Sequence, residues 1–252
     1  MSGHSKWANI KHRKGAQDAK RGQIFSKLAK EITVAAKIGG GNPENNVRLR
    51  VAIERARESN MPMENIERAI KRGTGELEGV TYEEVVYEGY GPGGVAILVN
   101  VLTDNKNRTA AEMRKIFSKF GGSLGTSGSV AWIFEKKGYI SVDANKYSED
   151  EILEIAIESG AEDVKKEDDV ISIYTPVDSF SDVLNALKNK GIELKVAEIS
   201  MVPKTTASVD DDTAVKVLKL LEELENNDDV QNVASNLDAS DVAFEKFSKE
   251  AA

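Results

Sequence analysis

Near Gly75 the apolar residues of this chain change their period, and that change divides what the chain can fold into. Upstream they recur every three or four residues, the spacing that stacks side chains on one helical face. From about Asp18 to Lys37 the set is Ile24, Leu28, Ile32 and Ala35, and Gly39-Gly40-Gly41-Asn42-Pro43 stops the helix. A second helix, from about Glu44 to Ser59, carries Leu49, Ile53 and Ala56. The third opens at Pro62, carries Ile66, Ala69 and Ile70, and takes Gly73 as its C′ residue. Short helices with short connections predict a three-helix bundle ending near Gly75.

Downstream the pattern turns to strands. Thr81–Tyr90 and Val95–Leu102 are β-rich and joined through Gly91-Pro92-Gly93-Gly94, a hairpin signal. Asp104 or Asn105 can cap a helix whose Ala110, Met113, Phe117 and Phe120 face inward, and a glycine-rich loop from Gly121 to Gly128 leads to a strand at Ser129–Phe134. Residues 138–200 read as a complete βαββαβ unit. Its strands are Tyr139–Val142, one near Val164, Val170–Tyr174 and Ile192–Ser200. The first helix carries the capping box Ser148 and Glu151 and ends at Gly160; the second carries Val183, Leu184 and Leu187 and ends at Gly191. That order is the ferredoxin-like split βαβ. The preceding ββαβ segment lacks a helix and a strand, and both occur after Pro203, at about Thr213–Glu225 and at Val230–Ser235. The expected fold is therefore α+β and multi-domain: a basic arm and helical bundle over 1–77, a discontinuous α/β domain over 78–134 and 204–237, and a ferredoxin-like domain over 135–203 inserted into it. A simple sequential arrangement is the alternative.

Composition narrows the chemistry. With no cysteine, disulfides, thiolate zinc sites, iron–sulfur clusters and thiol nucleophiles are all excluded. The two histidines, His4 and His12, stand eight apart with no third, so no metal site is expected. No apolar run reaches the ~18 residues of a membrane span, and the N-terminus is charged where a secretory signal would be apolar. These features predict a soluble cytoplasmic protein without a membrane partner. Asp210-Asp211-Asp212 precedes a helix, while Asp168-Asp169 and Asp228-Asp229 fall at turns, with nothing pairing them to a base or a metal ligand. No catalytic acid is assigned, and no enzyme is expected. The Gly121–Ser129 loop offers N–H groups for an anion, but it lacks the Walker lysine and precedes a strand, so a turn role is favoured.

The net charge of −8 would argue against a nucleic-acid partner, but its distribution reverses that argument. Residues 1–75 hold 16 Lys and Arg against 7 Asp and Glu, a net of +9; the remainder holds 18 against 35, a net of −17. With a Debye length of about 8 Å, a polyanion near the first segment scarcely senses the second. Residues 1–16 read as a mobile basic arm, whose competing reading is a solvated tail with no partner. The candidate nucleic-acid contacts there are Lys6, Trp7, Lys11, His12, Arg13 and Lys14, followed by Lys20, Arg21 and Lys27. Trp7 can stack on an unpaired base or fold back onto the bundle. Arg48 and Arg55 share a helical face, as do Arg50 and Arg57, and Arg68, Lys71 and Arg72 form an i, i+3, i+4 set that can also complement a helix dipole.

At the arm a family resemblance becomes specific. Gly3-His4-Ser5-Lys6-Trp7-Ala8-Asn9-Ile10-Lys11-His12-Arg13-Lys14, with Asp18-Ala19-Lys20-Arg21-Gly22, resembles the opening signature of the YebC/PmpR family, which includes the mitochondrial translational activator of cytochrome oxidase. Further blocks match at Asn60-Met61-Pro62 with Asn65–Gly75, Tyr87–Gly94, Leu102–Thr109 and Gly121–Trp132. The resemblance implies a helical N-terminal domain plus two α/β domains, no cofactor and no small-molecule substrate. It also implies a cytoplasmic transcriptional regulator that binds DNA. The family is linked as well to the ribosome, as a translation factor easing elongation at proline-rich stretches, for which the partner is ribosomal RNA or tRNA. Two positions depart from the pattern: Val47 stands where a proline usually precedes Arg-Leu-Arg, and Met63 where a lysine is common, removing one positive charge. No helix-turn-helix reading helix is evident, and a basic arm with one tryptophan suits structured RNA.

Overall fold

The computed structural model describes residues 6–8, 18–167 and 169–250. After a helical turn at 6–8 come α1 (Asp18–Gly39), α2 (Val47–Glu58) and α3 (Met63–Thr74). α1 lies against both of the others, and Ile32, Leu49, Ile53 and Ile66 are buried between them. Asn46 sets the α1–α2 corner. Its side-chain oxygen accepts from Leu49 N–H at 3.1 Å, capping α2, while its Nδ2 donates to the carbonyls of Ala35 and Gly40 at 2.8 Å each. The helix therefore starts at Val47, three residues later than the periodicity suggests.

Gly73 is not the C′ residue. The left-handed residue that ends α3 is Gly75, at φ 83°, and Gly73 lies inside the helix. A Cβ at Gly73 would sit 2.4 Å from the Thr33 carbonyl oxygen and 2.7 Å from Ala36 Cβ. The glycine is there because α1 and α3 cross at that point.

Two four-stranded antiparallel sheets follow. The first uses β1 (Glu83–Tyr90), β2 (Ala96–Thr103) and β3 (Ser123–Leu124), with α4 (Lys106–Lys119) between β2 and β3. The second comprises β4 (Phe134–Asp143), α5 (Glu149–Glu158), β5 (Asp163–Glu167), β6 (Val170–Thr175), α6 (Phe180–Asn189) and β7 (Leu194–Pro203). The chain then forms β8 (Ala207–Ser208), α7 (Asp211–Glu225), β9 (Val230–Ser235), β10 (Leu237–Asp238) and α8 (Asp241–Glu250). β9 returns to the first sheet, whose order is β3-β1-β2-β9, while the second runs β5-β6-β4-β7. In the register, Tyr87 faces Val99 and Val99 faces Val233. Val99, Phe117, Leu218, Leu221 and Phe247 share one core, and Ile140, Ile152, Ile171, Val183 and Leu187 share another. The protein is thus a mixed α+β, multi-domain chain. Among the described residues no helix is long and apolar enough to cross a membrane.

Further along the chain, two larger differences from the sequence reading stand out. Ser129–Phe134 is not a strand: Ala131–Ile133 is a 3-10 turn, and the strand begins at Phe134 and belongs to the second sheet. The reason is Glu88, whose carboxylate accepts the N–H groups of Gly128, Val130 and Ala131 at 2.6, 2.8 and 2.8 Å. Backbone donors held by one buried side chain are not available to a ladder. The second difference is α8, beyond the last element read from the sequence. Ala243, Phe244 and Phe247 are buried in the first core, and Ser240 Oγ caps the helix by accepting from Ala243 N–H at 3.1 Å.

Candidate nucleic-acid interface

The candidate contacts separate into groups once their partners are known. Lys11, His12, Arg13 and Lys14 lie outside the described residues, and Lys20 falls in the first turn of α1. Lys6 is ion-paired with Asp241 of α8. Trp7 folds back, but onto α8 and not onto the helical part: its ring centre is 6.0 Å from that of Phe247, with the planes tilted by 57°. Ala8 is buried among Tyr139, Tyr174, Val196 and Val202 of the second sheet. Residues 6–8 therefore touch α8 on one side and the second sheet on the other.

Lys27 serves docking. Its Nζ donates to the carbonyl of Glu225, the last residue of α7, at 2.6 Å. One turn on, Lys30 donates to the Asp228 carbonyl at 3.0 Å and to the Asp229 carboxylate at 2.7 Å, and Gln23 reaches Asn226 and Asp228. Cations and amide donors here satisfy carbonyls that a helix C-terminus leaves open. Arg48 is likewise engaged, by Glu31 at 2.7 and 3.2 Å and by Glu84.

What remains is a set of exposed cations. Arg21 stands 5.6 Å from the centre of the Phe25 ring. Arg50 is exposed and, among the described residues, donates to the Pro43 carbonyl at 3.4 Å without an ion pair. Arg55 and Arg57 on α2 and Lys71 and Arg72 on α3 are exposed, and among the described residues none forms an ion pair; Arg68 pairs with Glu64 at 2.8 Å. At the end of α3 the carbonyls of Lys71 and Arg72 accept from Leu77 and Gly75 N–H, at 3.1 and 3.3 Å. Backbone donors thus already satisfy those two carbonyls. Arg72 and Lys37 also line a cleft of about 330 Å³ beside Thr33, Leu77 and Tyr82.

Sequence reasoning missed Asp229. Read as a turn residue with no partner, it is buried and holds three elements together. One oxygen takes Lys30; the other accepts from Arg108 Nη2 at 2.8 Å, Thr109 Oγ1 at 2.8 Å and Thr103 Oγ1 at 3.2 Å. The Leu102–Thr109 block supplies three of those donors, which is the physical content of that motif. At the end of the glycine loop an anion is already in place, because Gly128 N–H and the Val130 and Ala131 N–H groups just after it hold the protein's own Glu88 carboxylate. Among the described residues no group of His, Asp and Glu is arranged to hold a metal ion.

Comparison with known proteins identifies relatives over nearly the whole chain. Residues 5–76 match the TACO1/YebC protein N-terminal domain, and residues 82–237 match the TACO1/YebC second and third domain. A probable transcriptional regulatory protein of Dictyoglomus turgidum is 61% identical over 249 residues, spanning 98% of this chain and 100% of that protein. One of the same name from Treponema denticola is 60% identical over 238 residues, 94% and 96% of the two chains. The crystal structure of a conserved hypothetical protein from Aquifex aeolicus superimposes with a TM-score of 0.80 at 53% identity, over 89% of this chain and 93% of that one. With both parts of its length matched and relatives identical at more than half of their positions, the chain belongs to the TACO1/YebC family.

Proposed function

We propose that this chain is a non-enzymatic cytoplasmic regulator of gene expression that binds nucleic acid through its basic N-terminal part, with DNA the first target in keeping with its relatives' name. The observation that carries the reading is segregated charge: a net of +9 over residues 1–75 against −17 beyond, with Arg50, Arg55, Arg57, Lys71 and Arg72 exposed on two adjacent helices. Each phosphate such a surface neutralises releases counterions, giving salt-dependent affinity, while the acidic remainder is repelled. The same reading takes 1–77 as a basic arm and three-helix bundle, and 135–203 as a ferredoxin-like domain inserted into a domain made of 78–134 and 204–237. The strand order β5-β6-β4-β7 and the return of β9 to β2 support that division, and α8 extends the discontinuous domain beyond 237.

A second reading, a translation factor on ribosomal RNA or tRNA that eases elongation at proline-rich stretches, is favoured by one feature. The exposed cations of α2 and α3 are Arg50, Arg55, Arg57, Arg68, Lys71 and Arg72, and neither helix exposes an Asn or Gln for base edges, a set suited to phosphates and backbone shape. Cross-linking in cells, with the attached nucleic acid sequenced, separates the two. Promoter fragments support transcription, and ribosomal RNA in their place supports translation. Titration with duplex DNA, tRNA and ribosomes at low ionic strength should show association that weakens with salt, and no association at all would overturn both.

A further inference from the structure

Among the described residues Trp132, 67% exposed, is the most exposed large apolar side chain. Its Nε1–H donates to the Ser129 carbonyl at 3.0 Å. Tyr90, at the end of β1 and 37% exposed, donates its hydroxyl to that same oxygen, also at 3.0 Å. The segment between Gly125 and Gly128 is exposed, and it is anchored from beneath by the Glu88 carboxylate and by the bond from Gly125 N–H to the Glu88 carbonyl at 2.8 Å. Two aromatic rings are thus fixed on one backbone oxygen above a pinned loop.

From this we propose that Trp132 and Tyr90 form a stacking site for an unpaired base of single-stranded nucleic acid, a second contact distinct from the cationic helices. The proposal rests on the nucleic-acid reading above. Because both donors are occupied within the protein, the rings offer chiefly their π faces. Every base has such a face, and stacking on it needs no particular sequence. Rings that are already ordered lose little side-chain entropy on binding. The charge nearby suits a polyanion. Lys204, whose N–H bonds the carbonyl of Ile133, the residue after Trp132, at 2.8 Å, is exposed, and among the described residues it forms no ion pair. Of the local carboxylates, Glu88 is buried in its three backbone bonds and Glu135 lies 3.6 Å from Lys137.

The test uses the full chain with two probes, a labelled oligoadenylate of about 12 nucleotides and a duplex that offers phosphates but no unpaired base. Trp132→Ala should weaken oligoadenylate binding about tenfold and duplex binding less than about twofold, whereas Trp132→Phe should stay within about threefold of wild type on both. Phenylalanine keeps a stacking face but not the bond to Ser129, so its rescue separates stacking from a merely structural role. The emission that wild type has and Trp132→Phe lacks should be quenched by the oligoadenylate. An unchanged affinity for Trp132→Ala, an equal loss on both probes, or quenching by an apolar peptide and not by the oligonucleotide would overturn the site and leave the cationic interface standing. A wild-type protein that binds neither probe would overturn the nucleic-acid reading itself, and the site with it.

Discussion

The Lys30 ammonium on α1 and the Asp229 carboxylate before β9 meet at 2.7 Å, with side chains only 14% and 7% exposed. Through that contact the helical part of the chain is held to the first sheet, and the other oxygen of Asp229 gathers Thr103 of β2 and Arg108 and Thr109 of α4. Asp229→Asn keeps the shape and removes the charge. It should lower unfolding stability by about 3 kcal/mol, since two cations lose a buried counter-ion. Urea denaturation measures the loss, and a value near zero would mean that the cluster is inert.

The same residue sets an acid limit. Burial pushes the Asp229 carboxyl up, but the hydrogen bonds from Lys30, Arg108 and Thr109 outweigh it and bring it down to about 2, from an ordinary 3.8. A carboxyl depressed in the folded state stabilises above its unfolded pKa, and that contribution is lost as pH falls through the folded one. Wild type should therefore shed roughly 2 kcal/mol between about pH 5 and pH 2 on account of this group. Asp229→Asn should show a flatter profile over that window, read from thermal melts at stepped pH.

Glu88 governs the glycine loop. Burial raises its carboxyl, but the bonds from Gly128, Val130 and Ala131 N–H lower it further, to below the ordinary value. Glu88→Ala should free all three amides and speed their hydrogen exchange at least about tenfold, with little change in the helical part. In wild type, protection of these amides should persist as pH falls past the ordinary glutamate range and vanish only below it. Loss of protection already at pH 5 would contradict the arrangement.

At the helix crossing, Gly73→Ala should destabilise by about 1–3 kcal/mol, because the new methyl group meets the Thr33 carbonyl and Ala36. An exposed helix interior would favour the same change by up to about 1 kcal/mol, so the sign of the effect decides between the two. Chemical denaturation gives that sign directly.

Among the cations, neutralising Arg50, Arg57, Lys71 and Arg72 together to Gln should weaken duplex or tRNA binding and reduce the slope of log affinity against log salt by up to about 3. Stability should stay within about 1 kcal/mol, since these are exposed side chains. Neutralising Lys11, Arg13, Lys14, Lys20 and Arg21 together should go further and abolish binding, with stability within about 1 kcal/mol of wild type. Lys27→Gln and Arg48→Gln should instead act on domain docking, with binding close to wild type. Were Lys27→Gln to weaken binding as much as the exposed set, the division drawn here between docking and binding cations would fail.

Much of the secondary structure was legible along the chain, since helix and strand follow from the spacing of neighbours. Ile24, Leu28 and Ile32 announce α1, and the run from Val95 to Leu102 announces β2. The failures share one cause. Val130, Ala131, Ile133 and Phe134 look like a strand, but the donors of Val130 and Ala131 go to Glu88, more than forty residues earlier. Gly73 looks like a helix end because nothing nearby says that Thr33 and Ala36 cross there.

The candidate interface divides in the same way. That the first third of the chain is cationic and the rest anionic is a sum over composition, and the sequence alone determined it. Which cations are occupied is not a sum. An ion pair needs its partners within a few ångströms, and the partners of Lys30, Lys27 and Arg48 lie as far as 199, 198 and 36 residues away in the chain. Only the tertiary structure decided that Lys27 and Arg48 hold the protein together while Arg50, Lys71 and Arg72 face solvent, because Coulomb attraction acts through space and not along the backbone.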